Sequence, residues 1–328
     1  MQPFSYVKPQ SLDEAIQALQ HVAGSQAIAG GTAMVDLLKL DVIAPHQLVL
    51  LEGVEQLRGI HIDGQRLRLG AMVTMSEAAS HPVIRSDYPV LHESLWKSAL
   101  PQLRNVASVA GNLLQRTRCP YFRDVHAACN RRDPGSGCDA VTGNNRTHAV
   151  LGTSEHCIAT YPGDWAVALV ALDARVEIVG ANGVRELAVR HLHRLPADMP
   201  QRETVLEPHE LISAIIVPAT PLARHSAYTK VRERRSYPFA TTSAAVALLM
   251  RGNTVDDARI AVGGVATVPW RAETAEQSLI GQVLTEDAAI SAGQIVFADA
   301  RAYAHNAFKI PLGINTVAEA LMRAARRH

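Results

Sequence analysis

The sequence predicts an α+β protein, and three observations support that prediction. The first fifty residues alternate strand and helix patterns in a βαβ-like unit. Two later segments are typical of hairpins over the turn pairs Asp63-Gly64 and Asn182-Gly183. Alanine-rich helical segments then close the chain from Ala272 onward. Hairpins and helices that occupy separate parts of a chain are typical of α+β architecture.

The N-terminal unit begins with a clear helix signal. Ser11 and Glu14 form a predicted capping box that starts a helix at Leu12. Short apolar strands are predicted over 26–29 and 48–51, with a segment of helical apolar spacing between them. This order of elements predicts a compact βαβ-like unit.

The rest of the chain contains hairpins, helices and one long irregular segment. The predicted elements are, in order, a hairpin over 60–69, helices over 74–79, 90–100 and 165–172, a hairpin over 176–187, a strand over 211–217, apolar periodic segments over 225–231 and 241–249, and a strand over 258–265. The segment 119–157 is predicted to be a loop, and loops of that length tend to be functional. Pro218 ends a strand, so a domain break is predicted over 218–223.

The charge balance excludes one class of function. The chain has 32 basic and 31 acidic residues, whereas nucleic-acid binders need a basic excess to contact phosphates. No run of 18 or more apolar residues occurs, so no membrane insertion is expected. The segment 1–7 lacks the basic and apolar regions of a signal peptide, so none is expected there.

Residues 28–32, Ile-Ala-Gly-Gly-Thr, are a candidate phosphate-binding turn between a strand and a helix. Gly30 and Gly31 would let backbone N–H groups approach a phosphate, and the helix N-terminus would add partial positive charge. The hydroxyl of Thr32 can donate a further hydrogen bond. The motif is neither G-x-G-x-x-G nor a Walker A sequence, and alone it is more simply an ordinary tight turn.

A second small-residue segment, 107–112, presents Ser108 and Asn112 on backbone that another molecule could approach. The alternative interpretation is a loop that packs against a neighbouring helix. Asp164 and Lys230 are further charged candidates. Lys230 begins a run of charges, and such a run is usually a solvated face.

All four cysteines lie in one 39-residue window, Cys119, Cys129, Cys138 and Cys157, with the spacing C-x9-C-x8-C-x18-C. This spacing contains neither the paired hooks of zinc ribbons nor the compact run of bacterial ferredoxins. A metal cluster, two disulfides and four unlinked thiols all remain open. Nearby arginines favour a ligand site because positive charge stabilises thiolates and anionic clusters. These arginines are Arg116, Arg118, Arg123, Arg131 and Arg132.

In their order, these segments resemble the FAD-binding middle subunits of the molybdenum hydroxylases, the family of xanthine dehydrogenase and aldehyde oxidoreductase. Residues 28–32 are similar to that family's first pyrophosphate loop. Residues 108–112 are similar to its second flavin segment, T/S-x-G-G-N, with Ala110 in place of the first glycine. Residues 161–164 are similar to the segment that ends in a flavin-contacting aspartate, with Gly163 replacing its usual serine. Two further segments, 210–212 and 228–232, match later flavin contacts.

The resemblance covers essentially the whole chain and implies its fold. It implies a two-part FAD-binding domain of the PCMH or vanillyl-alcohol-oxidase type, over 1–58 and 59–222. A smaller α+β domain like that of CO dehydrogenase flavoproteins is expected over 223–328. The residues that the resemblance assigns to FAD binding are Ala27, Ile28, Ala29, Gly30, Gly31, Thr32, Ala33, Met34, Ser108, Gly111, Asn112, Arg118, Asp164, Ile212 and Lys230.

Each group of these residues has an implied role. The resemblance implies that Gly30, Gly31 and Thr32 hold the pyrophosphate. It assigns Asp164 and Lys230 to anchoring the flavin. Contacts to phosphate or ribityl oxygens are expected from Ser108, Gly111 and Asn112.

Residues 111–122 narrow the resemblance to the branch of bacterial periplasmic aldehyde oxidoreductases. That branch, with the related 4-hydroxybenzoyl-CoA reductases, carries an extra 4Fe–4S cluster in an inserted loop of this subunit. The insertion is expected here over 115–160. Its four ligands match the four cysteines of this sequence, Cys119, Cys129, Cys138 and Cys157.

The resemblance implies electron transfer rather than substrate chemistry in this chain. A large partner with a molybdenum cofactor would oxidise an aldehyde to a carboxylic acid, with water as the source of the added oxygen. A small partner with two 2Fe–2S clusters would pass electrons to FAD, and an external acceptor would receive them. A heterotrimer is expected, exported to the periplasm with a partner that carries a twin-arginine signal; the cytoplasm is the alternative location. The alternative functions are a subunit of a 4-hydroxybenzoyl-CoA reductase-like enzyme and a non-catalytic scaffold of the same fold.

Overall fold

The N-terminal sheet is parallel and has the strand order β1-β3-β2. The computed structural model describes residues 1–234 and 236–327. The elements of this first unit are β1 Ser5–Val7, α1 Leu12–His21, β2 Ser25–Ile28, α2 Met34–Lys39 and β3 Gln47–Leu50. The helix α1 buries Ala15, Ile16 and Leu19 along one face, which is the spacing of an amphipathic helix. The predicted βαβ-like unit is confirmed, with the short strand β1 in addition.

The second sheet is antiparallel and has the strand order β4-β5-β8-β6-β7. The elements of this unit are β4 Ile60–Ile62, β5 Arg66–Gly70, α3 Met75–Ser80, α4 Pro82–Asp87, α5 Pro89–Trp96, α6 Pro101–Arg104, α7 Val109–Leu113, α8 Pro120–Arg123, α9 Asp139–Thr142, α10 Trp165–Ala171, β6 Arg175–Gly180, β7 Gly183–Ala188 and β8 Leu211–Pro218. Both predicted hairpins are confirmed, β4 with β5 and β6 with β7. The helix predicted over 90–100 is the shorter helix α5, which ends at Trp96, and the left-handed φ of +48° at Ala99 is incompatible with its continuation to residue 100.

The cap of α1 differs from the predicted capping box in one hydrogen bond. Ser11 Oγ accepts from the backbone N–H of Glu14 at 3.2 Å, as predicted. The Glu14 carboxylate, however, accepts from the backbone N–H of Gln10 at 2.8 Å instead of that of Ser11. A complete capping box occurs at the start of α3, between Thr74 and Glu77.

The third sheet is antiparallel and has the strand order β12-β11-β10-β9. The elements of this unit are α11 Pro221–Arg224, β9 Ser226–Val231, β10 Thr242–Arg251, β11 Thr254–Gly263, β12 Trp270–Arg271, α12 Glu273–Leu279, α13 Glu286–Val296 and α14 Lys309–Ala325. The apolar segments that the sequence predicts over 225–231 and 241–249 are β9 and β10. The predicted closing helices are confirmed as α12, α13 and α14.

Two large hydrophobic cores hold these units together. The first core joins α1 and β3 to the second sheet and to α10, all seven residues of which are buried. It also includes Ala245 and Ala261 from the third sheet, so it crosses from one unit to the next. The second core lies between the third sheet and α12 to α14. None of the helices within 1–234 and 236–327 is long and apolar enough to cross a membrane.

The segment 119–157 is mostly irregular, as predicted, apart from the short helices α8 and α9. A small apolar cluster ties it to the N-terminal unit, where Leu37 and Val42 pack against Phe122 and Cys129. The cysteine-bearing segment is therefore anchored beside α2 rather than projecting into solvent.

Candidate functional site

A cavity of about 1100 Å³ opens between the N-terminal unit, the segment 98–118 and the loop 193–212. Its volume suits a large organic ligand, since pockets for such ligands span roughly 300–1,000 Å³. Fourteen of the fifteen residues predicted to bind FAD line this cavity. They are Ala27, Ile28, Ala29, Gly30, Gly31, Thr32, Ala33, Met34, Ser108, Gly111, Asn112, Arg118, Asp164 and Ile212. The fold thus gathers four separate sequence motifs onto one surface.

The glycine turn between β2 and α2 forms one wall of the cavity at very close range. A Cβ atom on Gly30 would lie 2.0 Å from the carbonyl oxygen of Val106, and Gly31 has a φ of +70°. Both positions therefore require glycine. Among the described residues, the backbone N–H groups of Gly30, Gly31 and Thr32 donate no hydrogen bond. These donors face a cavity, which is the arrangement that phosphate-binding turns use.

Several buried polar atoms of cavity-lining residues have no partner among the described residues, and two of them belong to the predicted FAD residues Asn112 and Arg118. Asn112 donates from Nδ2 to Met75 Sδ at 3.4 Å, but its Oδ1 accepts no hydrogen bond from the described residues. Arg118 pairs with Asp36, while its Nε is unpartnered among the same residues. Because buried polar atoms are normally satisfied, both atoms are suited to a polar ligand in the cavity.

Asp164 is buried at the cavity wall and is held by three side chains. Its Oδ2 accepts from Lys230 at 2.8 Å and from Ser98 at 2.9 Å, and its Oδ1 accepts from Tyr228 at 2.6 Å. Burial, together with the charge of Asp164, raises the pKa of Tyr228 well above its ordinary value. The phenol therefore stays protonated and donates to the carboxylate.

Lys230 is the one predicted FAD residue that the structure does not place on the cavity wall. Its side chain is fully buried behind Asp164. The ammonium also donates to the carbonyl oxygens of Lys97 at 3.0 Å and Pro238 at 2.7 Å. It is thus a fixed cation that orients Asp164, not the exposed end of a charged run.

Sequence reasoning did not assign a role to Tyr161 or His193, which also line the cavity. The Leu113 carbonyl oxygen accepts from Tyr161 Oη at 3.0 Å and pairs with His193 Nε2 at 2.9 Å. Burial lowers the pKa of His193 to about 4, so the ring is neutral near neutral pH. Tyr161 stood inside a recognised motif, whereas His193 lies in a loop without a distinguishing pattern.

Position 163 is glycine here, whereas the family that the sequence resembles usually has serine, and the space around Gly163 explains the small residue. A Cβ on Gly163 would lie 2.7 Å from Tyr161 Oη. The side chain of Tyr161 thus fills the space that a larger residue at 163 would need.

The four cysteines surround a second, small cavity, here named the cysteine pocket. Its wall includes Cys119, Cys129, Cys138 and Cys157, and all four are free thiols. The structure therefore contains no disulfide among them. Among the described residues, no three His, Cys, Asp or Glu side chains lie close enough together to hold a single metal ion. The thiols stand around a space instead of converging on a point.

Hydrogen-bond donors surround the sulfur atoms of this pocket. His148 Nε2 lies 3.1 Å from Cys119 Sγ, and the backbone N–H of Ala159 lies 3.5 Å from Cys157 Sγ. Burial raises the pKa of the Cys119 thiol to about 12. Two buried and two half-buried thiols around one pocket, with N–H donors near the sulfurs, are a donor set that suits an iron–sulfur cluster, where metal binding releases the thiol protons.

A chain of charges connects the large cavity with the cysteine pocket. Glu203 accepts from Arg116 Nε at 2.5 Å and from Arg131 Nη1 at 2.8 Å. Arg131 in turn donates from Nη2 to Cys157 Sγ at 3.6 Å. Sequence reasoning placed both arginines near the cysteines but did not identify Glu203, because the loop that carries it has no motif.

The fold and the cavity define a class of protein, the two-part flavin-binding subunits. Residues 2–220 match the family described as FAD binding domain in molybdopterin dehydrogenase. Residues 226–324 match the family described as CO dehydrogenase flavoprotein C-terminal domain. The chain belongs to the FAD-binding medium subunits of the molybdenum hydroxylase family, and it is an oxidoreductase subunit.

Individual relatives agree with this assignment. The chain is 42% identical over 325 residues to the aldehyde oxidoreductase FAD-binding subunit PaoB of Escherichia coli (strain K12), with 99% of each chain covered. It is 27% identical to the carbon monoxide dehydrogenase medium chain of Hydrogenophaga pseudoflava, with 90% of this chain and 86% of the relative covered. A solved structure of carbon monoxide dehydrogenase from Hydrogenophaga pseudoflava matches with a TM-score of 0.77 and 26% identity, covering 100% and 99% of the two chains.

Proposed function

We propose that this chain binds FAD in the large cavity and serves as the electron-transfer subunit of an aldehyde oxidoreductase of the molybdenum hydroxylase type. The observation that carries the proposal is the convergence of fourteen predicted FAD residues on one cavity wall. The relative that is 42% identical, an aldehyde oxidoreductase subunit, supports the choice of aldehyde as substrate class.

The glycine turn is proposed to hold the pyrophosphate. Gly30 and Gly31 bring unpaired backbone N–H groups to the cavity surface, and Thr32 adds a hydroxyl. Ser108, whose Oγ already accepts from the Gly111 N–H at 3.1 Å, still has its own proton to donate to a phosphate or ribityl oxygen.

Three further residues of the cavity wall are proposed to orient the flavin. Asn112 Oδ1 and Arg118 Nε supply an acceptor and a donor that are unpaired among the described residues. Asp164 lines the cavity and is fixed by Lys230, so Lys230 acts through the carboxylate and not by direct contact. When bound, FAD can exchange single electrons with one redox partner and electron pairs with another.

The four cysteines are proposed to hold a 4Fe–4S cluster. The support is the donor set of the cysteine pocket: four free thiols around one space, with N–H groups directed at the sulfurs. Replacement of Cys129 by Ser is expected to remove about four iron atoms per chain. Unchanged iron content in that variant would contradict the proposed ligand set.

The chain is proposed to work in a heterotrimer. A large subunit with the molybdenum cofactor would oxidise the aldehyde, and a small subunit with two 2Fe–2S clusters would deliver electrons to FAD. An external acceptor would then take electrons from the flavin. Co-purification of the chain with its partners, followed by determination of flavin, iron and molybdenum, tests this assembly.

The visible spectrum of the purified complex tests the central claim. We expect bound flavin, released on denaturation, in a ratio of about one per chain. A colourless chain with no releasable flavin would favour a scaffold role and would overturn the proposal. Assays of the whole complex with aromatic aldehydes and with acyl-CoA thioesters then separate an aldehyde oxidoreductase from a benzoyl-CoA reductase-like enzyme.

Two further features belong to the proposal. We propose that 1–58 and 59–222, with the insertion 115–160, form the flavin-binding parts, and that 223–328 is a separate C-terminal domain.

We also propose a periplasmic location, reached by co-export with a partner that carries a twin-arginine signal. Recovery of the complex exclusively in the cytoplasmic fraction of cells would contradict this location.

A further inference from the structure

One arginine touches both cavities. Arg131 lies on the wall of the large cavity and also on the wall of the cysteine pocket. Its side chain is only 7% exposed. One nitrogen of its guanidinium donates to Cys157 Sγ at 3.6 Å, and another donates to Glu203 Oε2 at 2.8 Å.

We infer that Arg131 sets the reduction potential of the cluster held by the four cysteines, and that Glu203 opposes it from the other side. This inference rests on the proposed function, because it needs the cluster to be present. Arg131 is a positioning residue here: it contacts a ligand sulfur and exchanges no electron itself.

The reason is electrostatic. Reduction of the cluster by one electron adds one negative charge, and a buried cation beside a ligand sulfur stabilises that charge. Other donors around the sulfurs, such as the backbone N–H of Ala159, are uncharged. The full charge of a guanidinium in a poorly hydrated place acts more strongly than a neutral dipole.

Glu203 moderates this effect because it shares the same guanidinium. Its two carboxylate oxygens accept from Arg131 and from Arg116, and it lies on the wall of the large cavity. The Nε of Arg131 has no partner among the described residues, so the guanidinium's hydrogen bonds to side chains go to Cys157 and Glu203. Removal of the carboxylate charge should therefore favour the reduced cluster, while removal of the arginine charge should favour the oxidised one.

The experiment uses the complex purified with its partners. Iron and flavin contents are measured first, and then the cluster is titrated with dithionite and its reduced form is followed by electron paramagnetic resonance. Arg131→Gln should lower the equilibrium constant for reduction about tenfold, which is about 59 mV for a one-electron couple. Glu203→Gln should shift the potential in the opposite direction. Arg131→Lys, which keeps the charge, should stay closer to the wild-type value than Arg131→Gln does.

Shifts of opposite sign in Arg131→Gln and Glu203→Gln distinguish an electrostatic role from a structural one. A change that only loosened the pocket would not lower the reduction potential in one variant and raise it in the other. Arg185→Gln is the control, since Arg185 pairs with Glu210 away from the cysteines and should leave the potential unchanged. If Arg131→Gln loses its iron, Glu203→Gln decides: a raised potential supports the inference, and an unchanged or lowered potential overturns it.

The outcomes separate this inference from the proposed function. Full iron content with an unmoved potential in both glutamine variants would overturn the role of Arg131 alone. Shifts of the same sign in Arg131→Gln and Glu203→Gln would do the same. A wild-type complex without iron would overturn the cluster itself, and this inference with it.

Discussion

Gly30 lies at the one point of the glycine turn where the neighbouring backbone leaves no room for a side chain. Its missing Cβ would meet the Val106 carbonyl oxygen at 2.0 Å. We predict that Gly30→Ala pushes the turn away from the cavity and weakens FAD binding about tenfold, or about 1.4 kcal/mol. The measurement is the dissociation constant of FAD, determined by titrating FAD into protein from which the flavin has been removed.

Gly252→Ala is the matched control for this change. Gly252 has a φ of +59° in the turn between β10 and β11, with nothing within 4 Å of an added Cβ. The substitution should cost about 1 kcal/mol of stability through backbone strain but leave FAD affinity unchanged. Wild-type FAD affinity in Gly30→Ala would contradict the proposed position of the pyrophosphate.

His193 provides a test through pH. Its pKa in the folded chain is lowered to about 4 from an ordinary 6.5, because burial disfavours the charged ring. The unfolded chain therefore binds a proton at a higher pH than the folded chain does. Above about pH 6.5 the His193 ring is neutral in both states, so its burial costs no protonation energy. The free energy of unfolding falls as the pH decreases from about 6.5 toward about 4, because only the unfolded chain binds the proton there.

His193→Gln keeps a nitrogen donor for the Leu113 carbonyl but cannot titrate in this range. We predict that its free energy of unfolding falls less than that of the wild type between about pH 7 and pH 4.5, by about 2 kcal/mol. Denaturant unfolding at equal FAD loading measures the difference. The exposed His61, replaced by Gln, is the control, and an equal slope in wild type and His193→Gln would contradict the prediction.

The cysteine segment shows how an element without regular structure is held in place. Arg132 donates from Nη1 to the carbonyl oxygens of Tyr121 at 2.8 Å and Phe122 at 2.9 Å, and from Nη2 to that of Ala127. These bonds join the part of the segment that carries Cys119 to the part that carries Cys129. The guanidinium of Arg132 thus satisfies backbone carbonyl oxygens that would be hydrogen-bonded within a strand or helix elsewhere.

We predict that Arg132→Gln lowers iron content to less than about half, because three carbonyl oxygens lose a charged donor, each worth about 1.5–3 kcal/mol. Iron and acid-labile sulfide per chain are the measurements. Arg146→Gln is the control, since Arg146 is half-exposed in the same segment and pairs with Glu233. Full iron content in Arg132→Gln would show that the segment is organised by other contacts.

Across the whole molecule, Glu93 joins the flavin-binding part to the C-terminal helices. This residue of α5 accepts from Arg323 in α14 at 3.2 Å and from Arg327 just beyond it, and also from the Tyr228 backbone N–H. Although burial opposes its charge, nearby Lys97 and Arg327 hold the pKa of Glu93 below its ordinary value. The two parts of the chain are thus coupled by a partly buried ion cluster.

Glu93→Gln leaves three cations without their common anion. We predict a loss of about 2 kcal/mol in the free energy of unfolding, which is less than the roughly 3–5 kcal/mol of a fully buried pair because the arginines are partly exposed. Denaturant unfolding measures the loss, and exposed Glu319 in α14, replaced by Gln, should change stability by less than about 0.5 kcal/mol. Equal stability of Glu93→Gln and the wild type would contradict the coupling.

Local signals in the amino-acid sequence are enough to place most elements. The hairpins predicted over Asp63-Gly64 and Asn182-Gly183, the Ser11 cap and the apolar run of α10 each depend on a few residues, and all appear in the structure. The second turn lies one residue earlier than predicted, at 181–182, because Gly183 already pairs with Gly180. The short strand β1 and the end of α5 at Trp96 were missed, because three residues carry little periodicity and apolar residues at helical spacing continue to Leu100.

The motifs also identified fourteen residues that line the cavity, because glycine turns and short polar segments can be recognised without their surroundings. The position of Lys230 behind Asp164, and the arrival of His193 and Glu203 at the cavity, depend on long-range packing instead. The placement of the four cysteines as free thiols around one pocket likewise could not be derived from their spacing in the sequence. Contacts between residues far apart in the chain are set by the shared cores and buried ion pairs, for which no local pattern exists.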